Sequence, residues 1–434
     1  MRTYLLLPLL LATSGPPVWA QVPPSYEVSL PGAPYASDRA FAARTLEPAG
    51  PLTLADAMRL ALSANPELAA SAREVDAREG GIVQAGVLPN PRLSVEVEDR
   101  NKATRTTTVL VSQPIELGGK RGARVEVAER GRDIATAELK AARAAVRADV
   151  ITAFFGVLAA QERVVIAQSL LELSQRSTTA ASRRVIAGKI SPVEETKARV
   201  AEAGVRVDLA QASSELAVAR KRLAALWGNP APRFERAAGQ AELLPSIPSV
   251  ESLDTRFGES PGVVRAQLEL ERRKAMVELE KARRVPDVAL SLGGKRDEEL
   301  GRNQAIVGLA IPIPVFNRNQ GNLLESLQRR DKAEEELVAT QTRLSTELAM
   351  AYEQLKASRL QAESLQRDIL PGAQSAFDAA STGFTLGKFS FLEVLDAQRT
   401  LFQAKSQYLQ ALATAHRAAA DLDRILGTTE GLSH

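Results

Sequence analysis

The residues able to do chemistry are few, and they gather at two turns. Gly188-Lys189-Ile190-Ser191 is followed by Glu194 and Glu195, and Gly387-Lys388-Phe389-Ser390 is followed by Glu393 and Asp396. At each turn a glycine that can end one helix precedes a serine that can cap the next, and the acids fall near the start of that helix, where its dipole favours negative charge. Helix capping alone accounts for much of this pattern. The chemistry left over is electrostatic, since Glu393 and Asp396 share one side of a helix and can attract cations and repel anions.

Covalent and metal chemistry find no support. The chain has no Cys, which removes disulfides, thiol nucleophiles and thiolate metal sites. Its two histidines are His416, in a helical stretch, and His434, the last residue; neither has the three or four converging ligands of a zinc site. Gly118-Gly119-Lys120-Arg121-Gly122 lacks the Gly-Lys-Ser/Thr ending of a phosphate loop and reads as a flexible joint from strand to helix. No nucleophile pair or cofactor loop points to an enzyme, and neither a cofactor nor a resident metal is expected.

The elements that position the two turns occur twice. Gly188 to Glu194 recurs as Gly387 to Glu393, and Trp227-Gly228 as Leu426-Gly427, both 199 positions later. Upstream, Ala153-Phe154 matches Ala351-Tyr352 and Pro114 matches Pro312 at an offset of 198. Pro89-Asn90 with Ser94 matches Pro286-Asp287 with Ser291 at 197, and Asn65-Pro66 matches Ser260-Pro261 at 195. Solenoid repeats run to about 20–50 residues, so this is a duplicated half-molecule.

Arg2, the apolar run Leu5 to Ala12, and Val18-Trp19-Ala20 form a secretory leader, and the mature chain begins near Gln21. Without a Cys there, lipid anchoring at that position is not expected. Lys and Arg number 55 against 52 Asp and Glu, a balance that argues against a nucleic-acid binder.

Each half opens on a helix: Asn65 caps and Pro66 starts the first, and Ser260 and Pro261 play the same parts in the second. Two strand-like segments follow. Leu93, Val95 and Val97 alternate with Ser94, Glu96 and Glu98, and after a polar turn comes the β-branched run Thr106 to Ile115. The second half has Val288, Leu290 and Leu292, a charged turn from Arg296 to Asn303, then Ile306 to Ile313. Their length approaches the roughly 9–11 residues of a membrane-crossing strand, although a soluble hairpin fits the strands equally well.

Helical patterning then runs from about Lys120 to Ala187 and from about Gln320 to Leu386. At 1.5 Å per residue each is on the order of 100 Å long, more than a globular domain can use. Leu337, Leu344, Leu348, Ala351, Leu355, Ala362, Leu365 and Ile369 keep a three-four spacing, and Pro371 should kink or restart the second long helix. Return helices end near Gly228 and Gly427. The last one carries two apolar stripes, one through Val394, Leu401, Tyr408 and Leu422 and another through Leu395, Phe402, Leu409 and Leu426, which calls for a neighbour on each side. Four strands cannot close a barrel, and open strand edges are not tolerated in lipid, so the chains must associate into a ring.

With its duplicated order of helix, strand pair, long helix and return helix, and its Gly-Lys-x-Ser-x-x-Glu turns, the mature chain resembles the TolC-like outer-membrane factors of tripartite efflux systems. Ser112-Gln113-Pro114-Ile115-Glu116-Leu117-Gly118-Gly119-Lys120-Arg121 and Ile313-Pro314-Val315-Phe316-Asn317-Arg318-Asn319-Gln320-Gly321 look like the CzcC-like branch, which serves heavy-metal cation efflux. The resemblance implies a mixed α and β membrane protein. Its homotrimer would join a twelve-stranded transmembrane β-barrel in the outer membrane to a periplasmic α-barrel.

It also implies a passive conduit partnered by a periplasmic adaptor and an inner-membrane pump of the resistance-nodulation-division type, exporting cobalt, zinc or cadmium. The adaptor would dock on the tips at Gly188, Lys189, Ser191, Gly387, Lys388, Phe389 and Ser390. Glu393 and Asp396, with Glu194 and Glu195 as weaker counterparts, would form acidic rings at the gate. Phe389 stands where some relatives carry a basic latch residue.

The expected divisions are a leader at 1–20, an extended linker at 21–50, repeats at 51–228 and 255–427, a linking segment at 229–254 and a tail at 428–434. The competing readings are an outer-membrane factor for drugs or for type I protein secretion, and a periplasmic coiled-coil adaptor.

Overall fold

The structure, a computed structural model, describes residues 47–239 and 242–427. The leader, nearly all of the 21–50 linker and the tail with His434 lie outside the described residues. The first half runs β1 (Pro51–Thr53), α1 (Leu54–Ala64), α2 (Pro66–Ala85), β2 (Arg92–Glu98), β3 (Thr106–Ile115), α3 (Lys120–Ile186) and α4 (Pro192–Ala225). After β4 (Arg236–Ala238), the second half runs α5 (Val250–Phe257), α6 (Pro261–Ala282), β5 (Val288–Asp297), β6 (Arg302–Ala310) and α7 (Gln320–Ser364). It finishes with a π-helical turn at Leu365–Ile369, α8 (Leu370–Thr385) and α9 (Phe391–Leu426).

Each return helix ends where an entering helix of its own half begins. Gly228 and Gly427 take left-handed backbone angles at the ends of α4 and α9. A Cβ on Gly228 would lie 3.6 Å from the ring of Pro66, and one on Gly427 would lie 2.5 Å from the ring of Pro261. Carbonyl-rich and amide-rich helix ends therefore meet, which places dipole ends of opposite sign together. Asn65 completes the first junction, accepting from the Leu68 amide at 2.9 Å and donating to the Leu226 carbonyl at 2.9 Å. Ser260 does not repeat this, for its hydroxyl makes no capping hydrogen bond. The closer seat of Gly427 on Pro261 replaces a side-chain bridge with direct contact.

The waist holds the largest core, where Val150, Phe154, Val157 and Leu158 of α3 meet Leu52, Leu60, Leu223, Trp227 and Phe234. The linking segment contributes order that its composition hides. β4 pairs in parallel with β1, and α5 runs across the division expected between 254 and 255. The buried Glu47 carboxylate binds this region, accepting from Trp227 Nε1 at 3.2 Å, from the Asn229 side chain, and from the amides of Arg233 and Phe234 at 2.6 and 3.0 Å.

α9 has neighbours on both sides, α7 and α8 on one and α3 on the other, where His416 stacks against Phe155 with ring centroids 3.3 Å apart. Leu409 and Leu426 of the second stripe pack on the α7 side together with the first stripe, so the α3 side is met by His416 and Ala420 instead. In the second long helix the expected stripe holds through Leu365 and then fails, because Ile369 is 47 % exposed. The π-turn inserts a residue, and the buried positions resume one place later at Ala373, Phe377, Ala380 and Phe384.

Candidate functional site

The four central strands form one antiparallel sheet in the order β2-β3-β5-β6, with β3 of the first half bonded to β5 of the second. The strands of the second half reach further into the charged turn than their composition suggests. Arg296, Asp297, Arg302 and Asn303 are paired residues of β5 and β6; alternation sets Asp297 and Arg302 on the face opposite Leu292, while Arg296 and Asn303 continue the Leu292 face beyond its apolar rows.

Register assigns the two faces. Val95, Val109, Gly294 and Ala305 lie in one row across the strands, and Leu93, Val111, Leu292 and Val307 in the next, so one face is apolar. Val109, Val111, Leu290, Leu292, Val307 and Leu309 on that face are exposed, whereas Thr106, Thr108, Ser291, Lys295 and Asp297 on the other are buried or half-covered. One face of the sheet is thus apolar and exposed and the other polar and, on its central strands, more covered, the alternation of a membrane-barrel wall.

The joint below the sheet is braced rather than flexible. A Cβ on Gly118, whose φ is +72°, would lie 2.8 Å from Val285 Cβ and 2.9 Å from the Ala282 carbonyl. Asp287 of the second half accepts from the Leu117 amide at 3.1 Å and from Lys120 Nζ at 2.6 Å. Arg124 grips Glu116 through both carboxylate oxygens, and that hydrogen-bonded partner holds the Glu116 carboxyl below the usual range. Sequence reading missed the Asp287 contacts because the partners come from opposite halves.

At the far end of the helices the two turns share one construction. The Lys189 amide donates to the Arg184 carbonyl at 2.9 Å, and the Lys388 amide to the Gly383 carbonyl at 2.8 Å, each closing a six-residue loop around a left-handed glycine. Ser191 and Ser390 cap the helices that follow, accepting from the amides of Val193 and Glu393. The acids differ in use. Glu194 pairs with Lys197 at 3.0 Å and Glu195 with Arg199 at 2.6 Å on their own helix. Glu393 closes a capping box with Ser390, while Asp396 is exposed one turn later.

The equivalent positions Arg184 and Gly383 have diverged. Gly383 leaves room for Phe389, whose ring lies where a Cβ would stand, so Phe389 caps its own turn. Arg184 reaches from the first tip to the second, donating to the Phe384 and Thr385 carbonyls at 2.6 and 3.2 Å, with its guanidinium 4.4 Å from the Phe384 ring centroid. It neutralises the carbonyl end of α8. Among the described residues no group of three His, Asp or Glu side chains is placed to hold a metal ion.

The family described as "Outer membrane efflux protein" matches residues 57–229 and 257–428, one segment in each half. The chain belongs to the outer membrane efflux protein family. Its place is the outer membrane, and its family is one of transport proteins. Among outer membrane efflux proteins, it is 51 % identical to the cobalt-zinc-cadmium resistance protein CzcC of Cupriavidus metallidurans over 88 % of this chain and 91 % of that one. It is 30 % identical to the nickel-cobalt-cadmium resistance protein NccC of Alcaligenes xylosoxydans xylosoxydans over 67 % of this chain and 65 % of that one.

The fold of this efflux protein is that of solved TolC-like channels. A crystal structure of CusC matches with a TM-score of 0.72 at 21 % identity over 86 % of this chain and 91 % of that one. The outer membrane protein VceC of Vibrio cholerae matches with a TM-score of 0.72 at 19 % identity over 86 % and 96 %.

Proposed function

We propose that three copies of this chain close a passive export duct through which a resistance-nodulation-division pump, joined by a periplasmic adaptor, discharges divalent heavy-metal cations. The observation that carries the duct is the four-stranded sheet with an exposed apolar face and two open edges, β2 and β6, mounted on helices about 100 Å long. Edges left unpaired in lipid are too costly, and three copies supply twelve strands in which β6 of one copy meets β2 of the next. The extended likeness to CzcC supports cobalt, zinc and cadmium as cargo.

The tips at Gly188, Lys189, Ser191, Gly387, Lys388, Phe389 and Ser390 are the adaptor's docking points, since they stand at the opposite end of the helices from the membrane sheet. Asp396 supplies the acidic ring near the entrance, with Glu393 contributing what charge its capping role leaves. The deciding experiment is a deletion strain, with and without the restored chain, challenged with cobalt, zinc and cadmium beside a panel of drugs. Sensitivity to the metals, reversed by the chain, is expected; sensitivity to drugs alone would overturn the cargo.

A further inference from the structure

We infer that the second long helix carries a built-in hinge at Leu365–Ile369, created by one residue inserted into the second repeat and absent from the first. The repeats fall out of step by one residue within a short interval. Ala153-Phe154 and Ala351-Tyr352 are 198 apart, whereas Gly188 and Gly387 are 199 apart. The extra residue must lie between Tyr352 and Gly387, and the π-turn is within that interval. A π-turn is how an α-helix absorbs one added residue without unwinding.

Burial records the same event independently. In α3 the buried positions Ala167, Leu170, Ser174 and Ala181 keep an unbroken three-four phase. In the second helix Leu355, Ser358, Ala362 and Leu365 keep it too, but the next buried residue is Ala373, one place late, followed by Phe377, Ala380 and Phe384. The π-turn takes up the added residue, so the same face stays turned to the core while the numbering of the buried positions shifts by one. Below it the arm packs with Val394, Leu401 and Ala404 of α9 and with Ala181 and Ala198 of the first hairpin.

Two further features weaken the helix at this point. Pro371 offers no amide to the turn above it, and the Leu370 amide bonds the Leu365 carbonyl with the wider π spacing. Tyr408, buried in the same cluster as Leu365, has a hydroxyl with no hydrogen-bond partner among the described residues. An unsatisfied buried hydroxyl disfavours the arrangement that holds it and gains from one that supplies an acceptor. The hinge thus lets the lower arm, α8 with the start of α9, tilt while α3 stays a single rod. If the chain is the duct proposed above, the arm bearing Asp396 is the one that moves, but the hinge itself does not depend on that reading.

Hydrogen exchange on the assembled full-length protein tests the hinge without reference to transport. Amides of 365–370 are expected to exchange on the order of tenfold faster than those of their counterparts at 167–172, equivalent to about 1.4 kcal/mol of local opening. Deleting Asp368, an exposed residue of the turn, restores the first repeat's spacing and should remove the difference. If that variant does not assemble, Pro371→Ala decides, since restoring the amide should slow exchange at 365–370.

Spin labels on Lys388→Cys and Lys189→Cys, possible without interference in a chain lacking Cys, report arm motion as the width of distances between copies. The second tip should give the broader distribution. Equal protection in the two repeats, or a first-tip distribution as broad as the second, overturns the hinge. Absence of any distance between copies would instead overturn the ring.

Discussion

Glu393 and Asp396 lie one turn apart on the same helix, yet their carboxylates are used differently. Glu393 accepts from the Ser390 amide at 2.5 Å and its hydroxyl at 2.9 Å, so its charge is tied to the helix start. Glu194 and Glu195 are balanced by Lys197 and Arg199. If the proposed duct carries cations, Asp396 is thus the acid expected to weigh most on them. In planar bilayers Asp396→Asn should reduce cation preference more than Glu393→Gln does, and Glu194→Gln with Glu195→Gln should change it least. Unchanged selectivity in Asp396→Asn would remove this acid from the gate. The sequence reading ranked Glu194 and Glu195 below Glu393 and Asp396 but could not separate Glu393 from Asp396, because a capping bond is visible only once side chains have directions.

Where strand becomes helix, two neighbouring glycines share nearly the same backbone angle and differ in their surroundings. Gly118 and Gly119 have φ of +72° and +75°, but only Gly118 has neighbours within reach of a Cβ, namely Val285 and the Ala282 carbonyl. Gly119→Ala should cost about 1–2 kcal/mol, the strain of a left-handed side chain. Gly118→Ala pays that strain and must also displace α6 backbone, so its oligomer should dissociate at a clearly lower temperature on gels. A Gly119→Ala variant that proves the weaker would refute the braced joint. Element type and length at this joint were legible from alternation and three-four spacing. Its rigidity was not, since the brace at Asp287 comes from about 170 residues further along the chain.

The whole molecule is unfinished as a single copy. Its sheet ends on β2 and β6, and within one copy two other strands separate them. At about 4.8 Å per strand that gap approaches 14 Å, beyond the roughly 7 Å that a disulfide can bridge. A cysteine at Val95 on β2, combined with a scan of single cysteines along β6, should therefore give links only between copies, seen as dimer and trimer bands under oxidation. No link at any β6 position, or links confined to one chain, would refute ring closure. The neighbour expected on each side of α9 is there, α7 and α8 on one side and α3 on the other, although Leu409 and Leu426 of the second stripe pack on the α7 side.

Whatever depends on neighbours in sequence was determined by the sequence alone: the duplication, the alternating strands, the long three-four helices, and the glycine and serine that end and begin helices at each tip. Periodicity and capping are properties of consecutive residues, and they survive in the chain before it folds. Tertiary structure decided which sheet face is covered, which acids are tied up on their own helix, how Arg184 crosses to the other tip and how Glu47 gathers the waist. It also decided that a one-residue difference between repeats becomes a π-turn rather than a longer loop. Each of these depends on side chains or backbone brought together from distant parts of the chain, and packing settles such contacts where local pattern has no term for them.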